Sequence, residues 1–202
     1  MSQRDHDHMR QHLAQRAAKI LLDSGTRDFQ SAKQKAAQQL GAADTKSLPS
    51  NAEIESALVE YQRLFRASSQ PENLQSLRQV AIEAMQFLND FHPRLVGSVL
   101  SGTADEHSVI RIHIFAETVE SVGFFLQDKQ IPHELGERRL RIGTDQYQNY
   151  STYEFMVDEI RLELTIFLPK QKQIPLSPVD GKIMKRADIS DVEQLLSQDS
   201  IN

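Results

Sequence analysis

The residues best suited to chemistry lie in the middle of the chain. Gly97-Ser98 and Gly102-Thr103-Ala104 bracket a short loop of small residues, and small residues let a backbone come close to a phosphate. Beyond the loop, Val109, Arg111 and His113 alternate with Ile110, Ile112 and Ile114. A period of two puts each set on its own face of a strand. Arg111 offers a planar fork of donors to a carboxylate or phosphate, and His113 offers a donor or an acceptor. Much later, Glu163 stands between Leu162 and Leu164 on a second alternating stretch. Together these suggest phosphate binding or, with enough carboxylates, metal-assisted phosphoryl transfer.

Such a site needs neighbouring strands with the loop at their end. Patterning predicts a strand over Arg94–Leu100, the Gly-Thr-Ala loop, and a strand over Ser108–Phe115. Glu117–Lys129 predicts a helix with Val119, Val122, Phe125 and Leu126 inward. Ile131–Ile142 reads as strand material interrupted at Gly136, and Tyr147–Val157 as an aromatic strand. Asp158-Glu159 predicts a tight turn into a strand over Arg161–Leu168, with Leu162, Leu164 and Ile166 on one face and Arg161, Glu163 and Thr165 on the other. This order argues an α+β domain with a mixed sheet.

Upstream the period is helical. Residues 1–8 read as a solvated tail, where His6 and His8 beside Asp5 and Asp7 offer no fixed metal geometry. Amphipathic helices follow over His8–Asp23 (stopped by Ser24-Gly25), Asp28–Leu40, Ser50–Phe65 and Glu72–Phe91, with a break at Ser68–Pro71. Ser50-Asn51-Ala52-Glu53 has the capping-box form, and Ser190-Asp191-Val192-Glu193 repeats it before a short last helix. The expected division is 1–91 helical, 92–170 α+β, and 171–202 an irregular tail with that helix.

The Gly97-Ser98 turn, Gly102-Thr103-Ala104, and Ser108 before a strand resemble the polymerase-β-type minimal nucleotidyltransferase superfamily. In that family a Gly-Ser turn precedes Ser-Asp-Ile-Asp-Leu on a strand. The turn holds a nucleotide triphosphate, the two aspartates bind divalent metal, and a later strand adds a third carboxylate. The resemblance implies a nucleotidyltransferase-like mixed sheet over residues 93–168. It also implies nucleotide contacts at Gly97, Ser98, Gly102 and Thr103, and a third-carboxylate position at Glu163; Arg111 and His113 join these as candidate anion-binding residues from the chemistry of their strand face. Val109 and Arg111 stand where the aspartates would be, so the resemblance implies a degenerate member. Valine and arginine supply no oxygen ligand to magnesium.

Three readings of the altered cleft stay open. Arg111 pairs with Glu163 in place of the metal; or Arg111, with His113 and the Ser98 backbone, holds a phosphate; or a relocated metal site uses Asp105, Glu106, His107 or His113 with Glu163. Glu137-Arg138-Arg139 with Arg141 reads first as a solvated strand or turn and second as a phosphate or RNA contact. Ser177-Pro178-Val179-Asp180-Gly181 reads as a turn, followed by a basic end of Lys182, Lys185 and Arg186 that would fold over the cleft. Lys33, Gln34, Lys35, Gln38 and Gln39 read as a solvated helix face that leaves an RNA partner open.

Composition narrows the function classes. The absence of cysteine among 202 residues excludes disulfides and thiol catalysis. A net charge of −5 makes no whole-chain case for duplex nucleic acid. No P-loop, GxGxxG, HExxH or GxSxG motif occurs. The start lacks a secretory leader's apolar run and no stretch spans a membrane, so a cytoplasmic location is expected. The leading expectation is a non-catalytic binding or regulatory protein holding a nucleotide or other phosphate-bearing anion, with a protein or RNA partner at the helices. No cofactor is assigned to it, and magnesium enters only if catalysis persists. The alternatives are an active nucleotidyltransferase with displaced carboxylates and a purely structural interaction module. The balance falls against an enzyme.

Overall fold

The change of period at Pro93 is also a change of architecture in the computed structural model. It describes residues 3–24, 28–42, 47–65, 70–105, 107–171 and 173–199. The chain divides into two units, one of residues 1–70 with 178–180 and the other of residues 71–177 with 181–202.

The first unit holds α1 (Gln3–Ser24), α2 (Phe29–Gln39) and α3 (Asn51–Phe65). Its core is rich in alanine: Ala14, Ala17, Ala18, Ala32, Ala36 and Ala37 are all buried, with Leu13, Ile54 and Leu58. Small side chains let helices approach closely. The capping box at α3 forms as predicted, because Ser50 Oγ accepts from the Glu53 N–H at 3.2 Å and Glu53 Oε2 accepts from the Ser50 N–H at 2.7 Å. Of the expected tail over residues 1–8, the part from Gln3 on is instead the start of α1, and a ring nitrogen of His6 meets Ser47 Oγ at 2.8 Å. Asp28 caps α2. Gly25 and, of the expected break at Ser68–Pro71, Ser68 and Ser69 lie outside the described residues, as do the side chains of Asp5 and Phe65, while Gln70 and Pro71 already begin the next helix.

The second unit opens with α4 (Gln70–Phe87), which patterning grouped with the helices before it. Its Leu74, Leu77, Ala81, Ile82, Met85 and Leu88 instead share a core with the strands. An apolar helical stripe shows that a helix packs, and only the fold shows against what. A short 3₁₀ turn, Asn89–Phe91, ends at His92 in the left-handed region.

Then come β1 (Arg94–Val96), α5 (Gly97–Ser101), β2 (Ile110–Phe115), α6 (Val119–Asp128), β3 (Glu134–Gly143), β4 (Gln146–Val157), β5 (Ile160–Phe167) and α7 (Ile189–Asp199). The sheet is five-stranded and mixed, in the order β1-β2-β5-β4-β3, with β2 and β5 parallel and the other pairs antiparallel. The fold is therefore α+β, as expected. Asp158-Glu159 forms the two-residue turn, both at positive φ, between Val157 and Ile160.

Three expectations need correction. The strand predicted to reach Leu100 stops at Val96, because Gly97 turns the backbone to φ +76 and a helical turn begins. β3 runs unbroken through Gly136, which pairs with Thr152. The last helix is capped two residues early: Asp188 Oδ1 accepts from the Asp191 N–H at 3.0 Å, and Asp191 Oδ2 accepts from the Asp188 N–H at 3.1 Å. Asp188 and Asp191 thus take the box that Ser190 and Glu193 were expected to form.

Ile110, Ile112, Ile114, Leu162, Leu164 and Ile166 bury one sheet face with α4 and α6 residues such as Met85 and Leu126. α6 lies close to β4, since a Cβ on Gly123 would stand 2.5 Å from Tyr153 Oη. The tail touches both edge strands. Leu176 N–H donates to Arg141 O in β3 at 2.7 Å, and Ala187 and Leu95 of β1 exchange two backbone bonds.

Candidate functional site

The other sheet face is polar. Register places Arg111 beside Glu163, with Glu154 and Glu134 on successive strands, and Arg94 beside His113, Thr165 and Thr152. Glu163, His113, Thr152 and Thr165 are all buried. Alternation did predict this face, and the parallel pairing of β2 with β5 makes it continuous.

Glu163 is shared. Arg111 Nε stands 3.6 Å from Glu163 Oε1, and Arg138 Nη1 from β3 donates to the same oxygen. The Glu137–Arg141 run is thereby split, because strand alternation sends its arginines to different surroundings. Arg138 reaches Glu163, Arg139 lies over the Tyr147 ring, and Arg141 Nε donates to Gly143 O.

His113 is 2% exposed and Nδ1 accepts from Arg186 Nε at 3.0 Å. Burial, and then the charges of Arg186 and Arg138, hold its pKa down at about 3. It is therefore a neutral imidazole, protonated at Nε2. Arg186 reaches this face from the tail, as its place in the basic end suggested. Its guanidinium lies 4.6 Å from the Phe167 ring centre and 5.4 Å from that of Phe115. Phe167 also packs with Tyr150 and Leu140 in a small second core. Burial lowers the Arg186 pKa, partly offset by Tyr150 and reinforced by Arg94.

The predicted loop residues gather in one turn. Ser98 O accepts from the N–H groups of Gly102 and Thr103, and the Thr103 and Ser101 hydroxyls lie 3.1 Å apart. This turn leaves β1 just after Val96, the register partner of Arg111. Gly97, Ser98, Gly102 and Thr103 thus lie toward the Arg111 end, while His113 lies farther along β2. Arg78 supports the turn. It sits on the buried stripe of α4 and donates to Val99 O at 3.2 Å and Leu100 O at 3.4 Å. A charged residue four positions after Leu74 on that stripe was the available signal for its role.

Among the described residues, no carboxylate trio gathers beside Val109 and Arg111. Asp105 accepts from Ser108 Oγ and the His107 N–H in a local turn, and Glu106 lies outside the described residues. Among the described residues, no three acidic or histidine side chains converge to hold a metal.

At the carboxyl ends of parallel β2 and β5 opens a cleft of about 560 Å³. Phe91, Phe115, Phe167 and Arg186 line it, with Asp90, Glu117, Ser121 and Gln173. The helical unit has its own cleft of about 520 Å³ between α1 and α3, where Arg10 grips Glu53 through two bonds of 2.7 and 2.8 Å. Among the described residues, no helix is long and apolar enough to cross a membrane.

Compared with protein-family models the chain matches none, and no curated protein matches it.

Proposed function

We propose that this chain is a nucleotidyltransferase-like binding protein, not a transferase, that holds a phosphate-bearing anion on the polar sheet face without metal. The charge on that face carries the reading. Arg94, Arg111, Arg138 and Arg161 share it with Glu134, Glu154 and Glu163, and Arg186 joins from the tail. Five cations meet three carboxylates, and a surplus of arginine forks suits an oxyanion. The Gly97-Ser98 turn at the exit of β1, with Arg111 beside Glu163 across parallel strands, supports the nucleotidyltransferase-like reading of the fold. Val109 and Arg111 supply no oxygen ligand, so metal-dependent transfer has no donor set there. A role in regulation follows if the bound anion alters a partner's access to the helices.

Thermal unfolding of the whole chain tests this, with phosphate, pyrophosphate, and nucleoside mono- and triphosphates, each in EDTA and in magnesium. A rise in melting temperature in EDTA is expected. Binding only with magnesium, with nucleotide transfer to an acceptor, would establish the active alternative. No shift with any anion would leave a structural module whose ion pairs merely fill an old site.

A further inference from the structure

The arginines of the polar face differ in one respect. Arg111 and Arg138 both lean on Glu163, whereas Arg186 has no carboxylate partner among the described residues. Its neighbours are a neutral imidazole, two aromatic rings and another arginine, Arg94. Its Nη2 is shut from solvent with no hydrogen-bond partner among the described residues. A half-buried cation without a counter-ion is costly, and a buried N–H without an acceptor adds to the cost. The cleft that Arg186 lines is where a counter-ion can be supplied.

We infer that the cleft at the carboxyl ends of β2 and β5 binds a small organic oxyanion, phosphate or carboxylate, through Arg186. This rests on the anion-binding reading and places the anion's head at Arg186 among the arginines of that face. At about 560 Å³ the cleft has room for far more than a bare phosphate. Phe91 and Phe115 also line it and offer apolar surface to the ligand's body. Exposed Asp90 and Glu117 stand on the same cleft. They repel a polyanion and accept from hydroxyl or amino groups. The ligand class is therefore a single anionic head on a ring-sized body that carries hydrogen-bond donors, and a monophosphate is preferred to a triphosphate.

Calorimetric titration of the whole chain in EDTA tests this with a nucleoside monophosphate, the matching triphosphate, inorganic phosphate and benzoate. The monophosphate and benzoate separate the two kinds of head. Arg186→Gln should weaken whichever binds by about tenfold or more, while Arg16→Gln in the helical unit should leave it within about twofold, a change too small for a lost charged hydrogen bond. Without ligand, Arg186→Gln should be no less stable than the parent, since it removes an uncompensated charge. Equal affinity of Arg186→Gln and parent would overturn the inference. Failure of the parent to bind any anion would overturn the underlying reading as well. Should Arg186→Gln not fold, Ser121→Trp on the cleft wall gives the same test, and binding unaffected by that obstruction also overturns the inference.

Discussion

Arg186 Nε donates to His113 Nδ1 at 3.0 Å, joining the C-terminal tail to the middle of the sheet. The bond needs an unprotonated acceptor, so a charged tail residue is held by a ring that must stay neutral.

Acid should break this arrangement. Unfolded, His113 titrates near 6.5, and folded near 3. Between those values the unfolded chain binds a proton that the folded chain does not. Stability therefore falls as pH drops below about 6.5, by up to ~1.4 kcal/mol per pH unit, and this loss ends near 3. Urea titrations from pH 7 to 4.5 should show the slope. In His113→Gln, whose amide oxygen also accepts from Arg186, it should be much shallower. An identical slope in both proteins would remove His113 from the explanation.

Glu163 neutralises two arginines, so its loss leaves two cations close together. Glu163→Gln should destabilise by about 3 kcal/mol, the lower end for a broken buried pair, because both arginines keep some exposure to water. Sulfate should restore part of that loss. Chemical denaturation with and without sulfate measures both effects.

Gly123 is required by contact. A Cβ there would sit 2.5 Å from Tyr153 Oη and 3.1 Å from Cζ. Gly123→Ala should cost about 1–3 kcal/mol by overpacking. Adding Tyr153→Phe should recover only part, since the ring carbon remains close. A double-mutant cycle in urea reads the coupling.

Glu53 serves two partners, the Ser50 cap and Arg10. The Arg10 bond is the main cause holding its pKa at about 2, against a usual value of 4.5. Its contribution is present above about 4.5 and lost as pH falls toward 2. The pair is well exposed, so the effect is modest. Glu53→Ala should cost about 1 kcal/mol, mainly through the cap, and should flatten the acid limb in that window.

Much of the fold was legible in the sequence. Alternation of Ile110, Ile112 and Ile114 against Arg111 and His113 gave the two faces of β2, and the same logic at Leu162–Ile166 gave those of β5. Local chemistry announced the Ser50 cap and the Asp158-Glu159 turn. Arg111 and Glu163 were named as potential partners from strand phase alone. Less legible was Arg138. It sat in a run that reads first as solvated, and nothing local says that one residue of such a run turns inward. The basic end was expected over the cleft, but nothing in it singled out Arg186.

What the sequence by itself determined is periodicity and side-chain type: which segments are helices or strands, which residues share a face, and that Val109 and Arg111 bring no carboxylate to theirs. Those follow from backbone geometry and side-chain type, which act over a few residues. Only the tertiary structure decided that α4 packs with the sheet, that β2 lies parallel to β5 so that Arg111 meets Glu163, and that Arg186 rests on Phe167 with no carboxylate partner among the described residues. Strand order and the path of a tail depend on burial shared among distant segments. No single segment carries that information.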